Sequence, residues 1–161
     1  LDAPERHRYR ISLVARPARS LPEPPFLIRH PVPDDRDRLA ELMLDSYIGT
    51  IDYDGEGIEE AQAEADGYLT GEPMLDCSWV VEDGHLLLAA VLVSLWEKRP
   101  LVGYVMTRAA AKGQGVAGLL LEKSITELKS RGWQSVDAFI TSGNTPSERL
   151  FARAGATRVE G

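Results

Sequence analysis

Lys112-Gly113-Gln114-Gly115-Val116-Ala117 is the run whose residue types and spacing are best suited to gripping a phosphate. An apolar strand-like stretch, Leu101 to Thr107, leads into it, and a helical pattern follows at once. Glycine has no Cβ, so Gly113 and Gly115 can adopt backbone conformations closed to other residues and let a ligand approach closely. The unpaired N–H groups of a helix start, at its positive dipole end, form an anion site. Strand, glycine turn and helix together read as a diphosphate cradle. An ordinary strand–turn–helix joint with two glycines would show the same letters.

Two neighbouring signatures fit less well. A Walker loop needs Gly-x-x-x-x-Gly-Lys-Ser/Thr, which is absent from the sequence. The dinucleotide fingerprint Gly-x-Gly-x-x-Gly is nearly met by Gly113, Gly115 and Gly118, with Asp137 available as the acidic partner about 20 residues on. Too little sequence follows for a full dinucleotide fold. His7, His30 and His85 are scattered, and no group has metal-ligand spacing.

At 161 residues the chain suits one domain with a sizeable core. Its one cysteine, Cys77, excludes an internal disulfide, suits a reducing compartment and reads as a small buried hydrophobe. The longest apolar run, Leu86 to Leu95, is broken only by Ser94 and is too short for a bilayer. No basic-then-apolar leader opens the sequence, so a cytoplasmic location without membrane attachment is expected.

The net charge of −7 is unevenly spread. Residues 39–97 hold fourteen Asp and Glu and no Lys or Arg, whereas residues 98–161 hold ten Lys and Arg against five acids. The basic part contains the phosphate-like loop and suits a polyanion; the acidic part suits a cationic partner or is simply a solvated face. An acidic chain without a concentrated basic stripe is not expected to bind nucleic acid.

These residues need elements to position them. Tyr9 to Val14 alternates as a strand, with a Pro-rich connector, Pro17 to Pro25, behind it. Residues 1–25 are therefore expected to be an extension to a domain over 26–161. Phe26 to Arg29 is a second short strand, and Asp34 is expected to cap a helix carrying Leu39, Leu42, Met43 and Tyr47. Ile58, Ala61, Ala65 and Tyr68 mark a second helix with an acidic outer face. Asp83-Gly84 joins two apolar runs as a hairpin, and Leu101 to Thr107 is the next strand. The helix after the glycine loop buries Leu121, Ile125 and Leu128 and stops at Gly132. Ser135 to Thr141 is a strand, expected to lie parallel and adjacent to the one before the loop. Thr145-Pro146-Ser147-Glu148 then reads as a capped helix start, and Ala156 to Gly161 as a final short strand.

Lys112 to Ala117 resembles Q/R-x-x-G-x-G/A, the acetyl-CoA pyrophosphate loop of the GNAT superfamily of N-acetyltransferases, with Lys in the place of Gln or Arg. Asn144 through Leu150-Phe151 to Gly155-Ala156 resembles the same family's N-x-x-x-x-x-L-Y-x-x-x-G-F. The element order also resembles the GNAT core over residues 26–160. The resemblance implies an α/β fold with a mixed central sheet flanked by about four helices, here with an extra N-terminal strand. It implies acetyl-CoA as donor and a primary amine as acceptor, cationic if the acidic block faces it, with a homodimer as a family-typical assembly.

Carried over residue by residue, the resemblance implies that backbone groups of Val105, Met106 and Thr107 hold the pantetheine arm. Gly113, Gln114, Gly115, Val116 and Ala117 would hold the diphosphate through their amides, with charge from Lys112. Asn144 would bind pantetheine between two diverging strands, and Ser147 and Arg149 would reach the outer part of the cofactor. Where the family usually carries a tyrosine acid, this chain has Phe151. Ser147 or Tyr104 could then donate to the thiolate, the thiolate could leave unaided, or catalysis could be lost. Glu97 and Tyr104 are the candidates for a base. The same fold without turnover would be an acyl-CoA-binding or sensing domain.

Overall fold

The computed structural model describes residues 5–17, 19–50 and 53–160. It contains one seven-stranded mixed sheet with helices on both faces. The strands are β1 (Arg6–Ser12), β2 (Leu27–Arg29), β3 (Trp79–Asp83), β4 (Leu86–Trp96), β5 (Arg99–Thr107), β6 (Ser135–Thr141) and β7 (Thr157–Arg158). The helices are α1 (Arg36–Tyr47), α2 (Ile58–Thr70), α3 (Val116–Ser130) and α4 (Thr145–Arg153). Sheet order is β2-β3-β4-β5-β6-β1-β7, with β5 and β6 parallel and the other neighbours antiparallel.

The long apolar run of β4 follows from its central place, because both faces are covered. Ala89, Val91 and Val93 face α3 and α4 in a core with Leu120, Leu121, Ile125, Leu128 and Phe151. Ala90 and Leu92 face the other way, onto Leu39, Leu42 and Met43 of α1 and Ala61, Ala65 and Tyr68 of α2. The expected parallel neighbours are thus present, and so is the expected hairpin, with Gly84 at φ +60°.

Four local expectations shift. The helix entry is organised by Asp35 rather than Asp34: it is fully buried, accepts from the Val32 amide at 2.8 Å and holds the Arg29 fork at 2.8 and 2.9 Å. Burial alone would raise the Asp35 pKa, but these bonds and Arg38 hold it below the ordinary carboxylate value. At α4 the cap is Asn144, not Thr145, since Asn144 Oδ1 accepts from the Ser147 amide at 3.3 Å. The first strand begins at Arg6 rather than Tyr9. Of the expected final strand only Thr157–Arg158 pairs, and Gly161 lies outside the described residues.

The N-terminal strand lies inside the sheet. β1 pairs with β6 along its whole length, from Arg6↔Thr141 to Ser12↔Ser135, and with β7 on its other edge. Two of its alternate residues lock it in place: Arg8 Nε donates to Asp137 Oδ2 at 2.6 Å and Arg10 Nε to Asp137 Oδ1 at 2.7 Å. Arg99 approaches the same carboxylate at 3.8 Å, and the Asp137 side chain is 0% exposed. Burial would push this carboxyl up, yet the guanidinium hydrogen bonds keep it below its ordinary value. Behind β1 the connector crosses the helices, with Arg16 forked on the buried Glu122 of α3 at 2.7 and 2.8 Å.

Candidate active site at the splay between two parallel strands

β5 and β6 pair only at Leu101↔Asp137 and Val102↔Ala138. Beyond that point β5 stays with β4 as far as Thr107, and β6 stays with β1 as far as Thr141. The two parallel strands therefore diverge towards their carboxyl ends, and β5 presents an edge with no strand beside it from Gly103 onward. An extended strand left in this way has backbone donors and acceptors available to a ligand. Val105, Met106 and Thr107 stand on that stretch, and Met106 has its side chain buried.

The divergence begins at a bulge. Leu92 faces Tyr104 while Val93 faces Val102, which leaves Gly103 as an extra residue on β5. Without it, residues 102 and 104 would share a face. Instead Val102 packs with α3 and α4, and Tyr104 turns to the α1–α2 side.

The glycine loop closes the mouth of the splay. Gly113 and Gly115 sit at φ +82° and +78°, in the left-handed region that favours glycine, with open space where a Cβ would stand. α3 starts at Val116 with Gly115 as its N-cap and no side chain capping it. The first helix-closing bond is Leu119 N–H to Gly115 O at 3.1 Å. The amides from Gly113 to Gly118 have no acceptor among the described residues, as expected for an uncapped helix start. Gln114 is exposed, Ala117 half-buried, and Val116 contributes its side chain to the core. These unspent amides fit a diphosphate.

The loop is docked onto α1 by contacts the sequence reading did not find. Arg108 is largely buried, forks onto Glu41, and donates to Leu87 O at 2.9 and 3.1 Å. The Ala109 amide donates to Asp45 Oδ1 at 2.7 Å, and Lys112 Nζ donates to Ser46 O at 3.0 Å near the C-terminal end of α1. Lys112 thus ties the loop to the negative end of a helix dipole. Glu41 and Asp45 belong to the acidic block, so part of that block is spent inside the fold. The lone basic residue Arg108 between apolar β5 and the alanines was the available signal.

Asn144 and Ser147 lie just past β6, at the same end of the sheet as the start of α3. A Cβ on Gly118 would stand 3.8 Å from Leu150 Cδ1, which places the first turn of α3 against α4. Ser147 is half-buried in the first turn of α4, and Arg149 is exposed further along it. Glu97 stands apart: it is exposed in the β4–β5 turn, at the other end of β5, roughly 15–20 Å along the strand from Tyr104. The structure does not bring it to the splay. Phe151 is only 4% exposed and packs in the core, so its ring fills space there.

Tyr104 stands at the splay with its ring edge-on to Tyr68, centroids 6.4 Å apart. Burial raises its phenol pKa, Glu64 adds to the rise and Arg6 opposes it. It therefore keeps its proton at neutral pH, which suits a donor better than a base. Glu64 lies one turn before Tyr68 on α2. Its carboxyl pKa is raised, first by partial desolvation and then by Glu56, with Arg6 opposing. The sequence signal for Glu64 was its i−4 spacing from the buried Tyr68. Cys77 is buried and its thiol pKa is raised by burial, so it is a poor nucleophile.

Among the described residues no group of three or more His, Cys, Asp or Glu could hold a metal, and no helix is long and apolar enough to cross a membrane. Two shallow surface cavities, one lined by Met74, Cys77 and Arg131 and one by Arg16, Ile125 and Lys129, lie elsewhere.

Solved structures share this architecture. A GCN5-related N-acetyltransferase from Sphaerobacter thermophilus aligns with a TM-score of 0.74 at 19% identity, over 96% of this chain and 48% of that one. A GNAT-family acetyltransferase from Colwellia psychrerythraea gives 0.72 at 13% identity, over 97% and 53%. The diaminobutyrate acetyltransferase EctA from Paenibacillus lautus, in complex with L-2,4-diaminobutyric acid and coenzyme A, gives 0.61 at 18% identity, over 79% and 72%. The chain spans about half the length of the first two. No curated protein matches it significantly. The family model described as Acetyltransferase (GNAT) domain matches residues 26–157. With a splayed pair of parallel strands and an uncapped glycine loop at its mouth, the chain belongs to the GNAT acetyltransferase family.

Proposed function

We propose that this protein is an acetyl-CoA-dependent N-acetyltransferase that modifies a primary amine of a cationic small molecule or peptide. The observation that carries the reading is the uncapped run of unspent amides, Gly113 to Gly118, at the mouth of the β5–β6 splay. Gly113, Gln114, Gly115, Val116 and Ala117 hold the diphosphate, and Lys112 adds charge once it leaves the Ser46 carbonyl. Val105, Met106 and Thr107 hold the pantetheine arm as an added strand would be held. Asn144, Ser147 and Arg149 support it from α4. Bound there, acetyl-CoA supplies an activated thioester, open to direct attack by the amine in a ternary complex.

The chain's own groups cover the proton traffic. Tyr104 holds a proton at its phenolic oxygen for the departing thiolate, and Glu64 offers a carboxylate on the amine side. Direct transfer also agrees with the buried state of Cys77. The exposed acids of α2, Glu59, Glu60, Glu64 and Asp66, favour a cationic acceptor. A cytoplasmic location agrees with a lone, unpaired cysteine, and the homodimer expected from the family is tested by sedimentation.

Titration with acetyl-CoA, followed by thiol release across a panel of primary amines, tests the activity. Binding with amine-dependent release is expected, and raising salt should raise the apparent KM for a charged amine. A second reading, an acyl-CoA-binding or sensing domain, is favoured by Phe151 at the position of the family's usual acid. Tight binding with no turnover on any amine would establish that reading instead.

A further inference from the structure

Arg6 and Glu64 come from distant parts of the sequence and lie on the Tyr104 side of the sheet. Arg6 opens β1 opposite Thr141, the last residue of β6, so it stands at the splayed end of the sheet. Its alternate neighbours Arg8 and Arg10 point to Asp137, on the face of β6 not covered by α3 and α4. That is also the face to which the Gly103 bulge turns Tyr104. Glu64 reaches the same place from α2, one turn from Tyr68, whose ring contacts Tyr104. Tyr104 feels both charges, with opposite sign. Among the described residues neither side chain makes a hydrogen bond or a salt bridge, although each feels the other's charge. The other arginines of β1 and β5, Arg8, Arg10 and Arg99, are committed to Asp137, and Arg108, just past β5, to Glu41.

Two opposite charges beside a proton donor, neither tied up in a salt bridge, describe a receptor for a ligand that carries both. We infer that Glu64 anchors the ammonium of the acceptor and Arg6 its carboxylate, so that the acceptor is an amine of amino-acid type. Glu56 adds a second negative charge on the Glu64 side, which suits acceptors with a further amino group. This inference rests on the proposed acetyl transfer and adds the carboxylate requirement. It also gives β1 a role in recognition as well as in closing the sheet.

Matched acceptors separate the two charges: L-lysine against 1,5-diaminopentane, and L-2,4-diaminobutyrate against 1,3-diaminopropane. In steady-state kinetics with saturating acetyl-CoA, the amino acid of each pair should show the lower KM. Arg6→Gln should raise that KM about tenfold and leave the diamine KM within about twofold, with kcat little changed and most of the loss restored in Arg6→Lys. Glu64→Gln should raise KM and lower kcat for both members of a pair. Arg6 is exposed, so its variants should melt with the wild type, and isothermal titration should show unaltered coenzyme A binding. Equal effects of Arg6→Gln on amino acid and diamine, or a wild-type preference for the diamine, would overturn the inference. So would coenzyme A-loaded protein that neither binds nor acetylates any of the four probes. Failure to bind coenzyme A at all would overturn the proposed activity, and this inference with it.

Discussion

Replacing Asp137 by asparagine tests whether charge, beyond strand pairing, holds β1 in the sheet. The carboxylate has no exposed surface and receives Arg8 and Arg10 at 2.6 and 2.7 Å. Removing one partner of a buried pair costs about 3–5 kcal/mol. The two arginine side chains are 26% and 33% exposed and can turn towards water, so roughly 2 kcal/mol is expected. For a domain of this size that is a fall in Tm of about 4–8 °C. The pH dependence has a definite sign. The Asp137 carboxyl is held below its ordinary value of 3.8, so its contribution is complete above that value and fades as pH falls through the folded pKa. Urea unfolding of wild type and Asp137→Asn should therefore differ at pH 7 and converge in strong acid. Equal stability at pH 7, or a gap that widens on acidification, would refute the reasoning.

Four further outcomes follow from the site. Gly115→Ala places a side chain at φ +78° with no atom within 4 Å of its Cβ, so stability should fall by about 1 kcal/mol from backbone strain, and coenzyme A titration should show a larger loss of affinity. Tyr104→Phe should lower kcat about a hundredfold in thiol-release assays while coenzyme binding holds; unchanged kcat would remove Tyr104 from the chemistry. Glu97 and Lys98 occupy φ 48° and 67° in a two-residue turn, so Glu97→Asn with Lys98→Gly should stabilise the fold by about 1–2 kcal/mol, with turnover unchanged; lost turnover would return Glu97 to the site. Phe151→Tyr buries a hydroxyl in the core, costing roughly 1–3 kcal/mol, and should not raise kcat; a rise of tenfold or more would mean the family's usual acid was missing after all.

The loop proposed to hold the cofactor was legible as a loop because backbone conformation writes itself into residue type. Gly113, Gly115 and Gly132 stand where φ is positive, and the run from Leu86 reads as a strand covered on both faces. The proposed acceptor side was not legible, because it draws on distant segments. Arg6, Glu64 and Tyr104 share no local pattern and meet only through the β1–β6 register and the Gly103 bulge. A one-residue bulge inverts which side of the sheet a residue serves, and nothing in Val102-Gly103-Tyr104 announces it beyond the glycine itself. Asp137 shows the opposite case: it was noticed as a possible ribose ligand, whereas the sheet turns it into the anchor of two arginines. The capping residues were misplaced by one at Asp34 and Thr145, since adjacent polar residues compete for the same amide and only tertiary partners decide.

Synthesis order sets a constraint on how the sheet is completed. β1 is made before the other six strands, yet Arg8 meets Asp137 only 129 residues later, and its other neighbour, β7, follows that. Until β6 is made, β1 waits without a ladder. Seating β1 between β6 and β7 is a long-range closure, the class of contact that slows folding. Hydrogen exchange pulsed during refolding should show the β1 amides protected last.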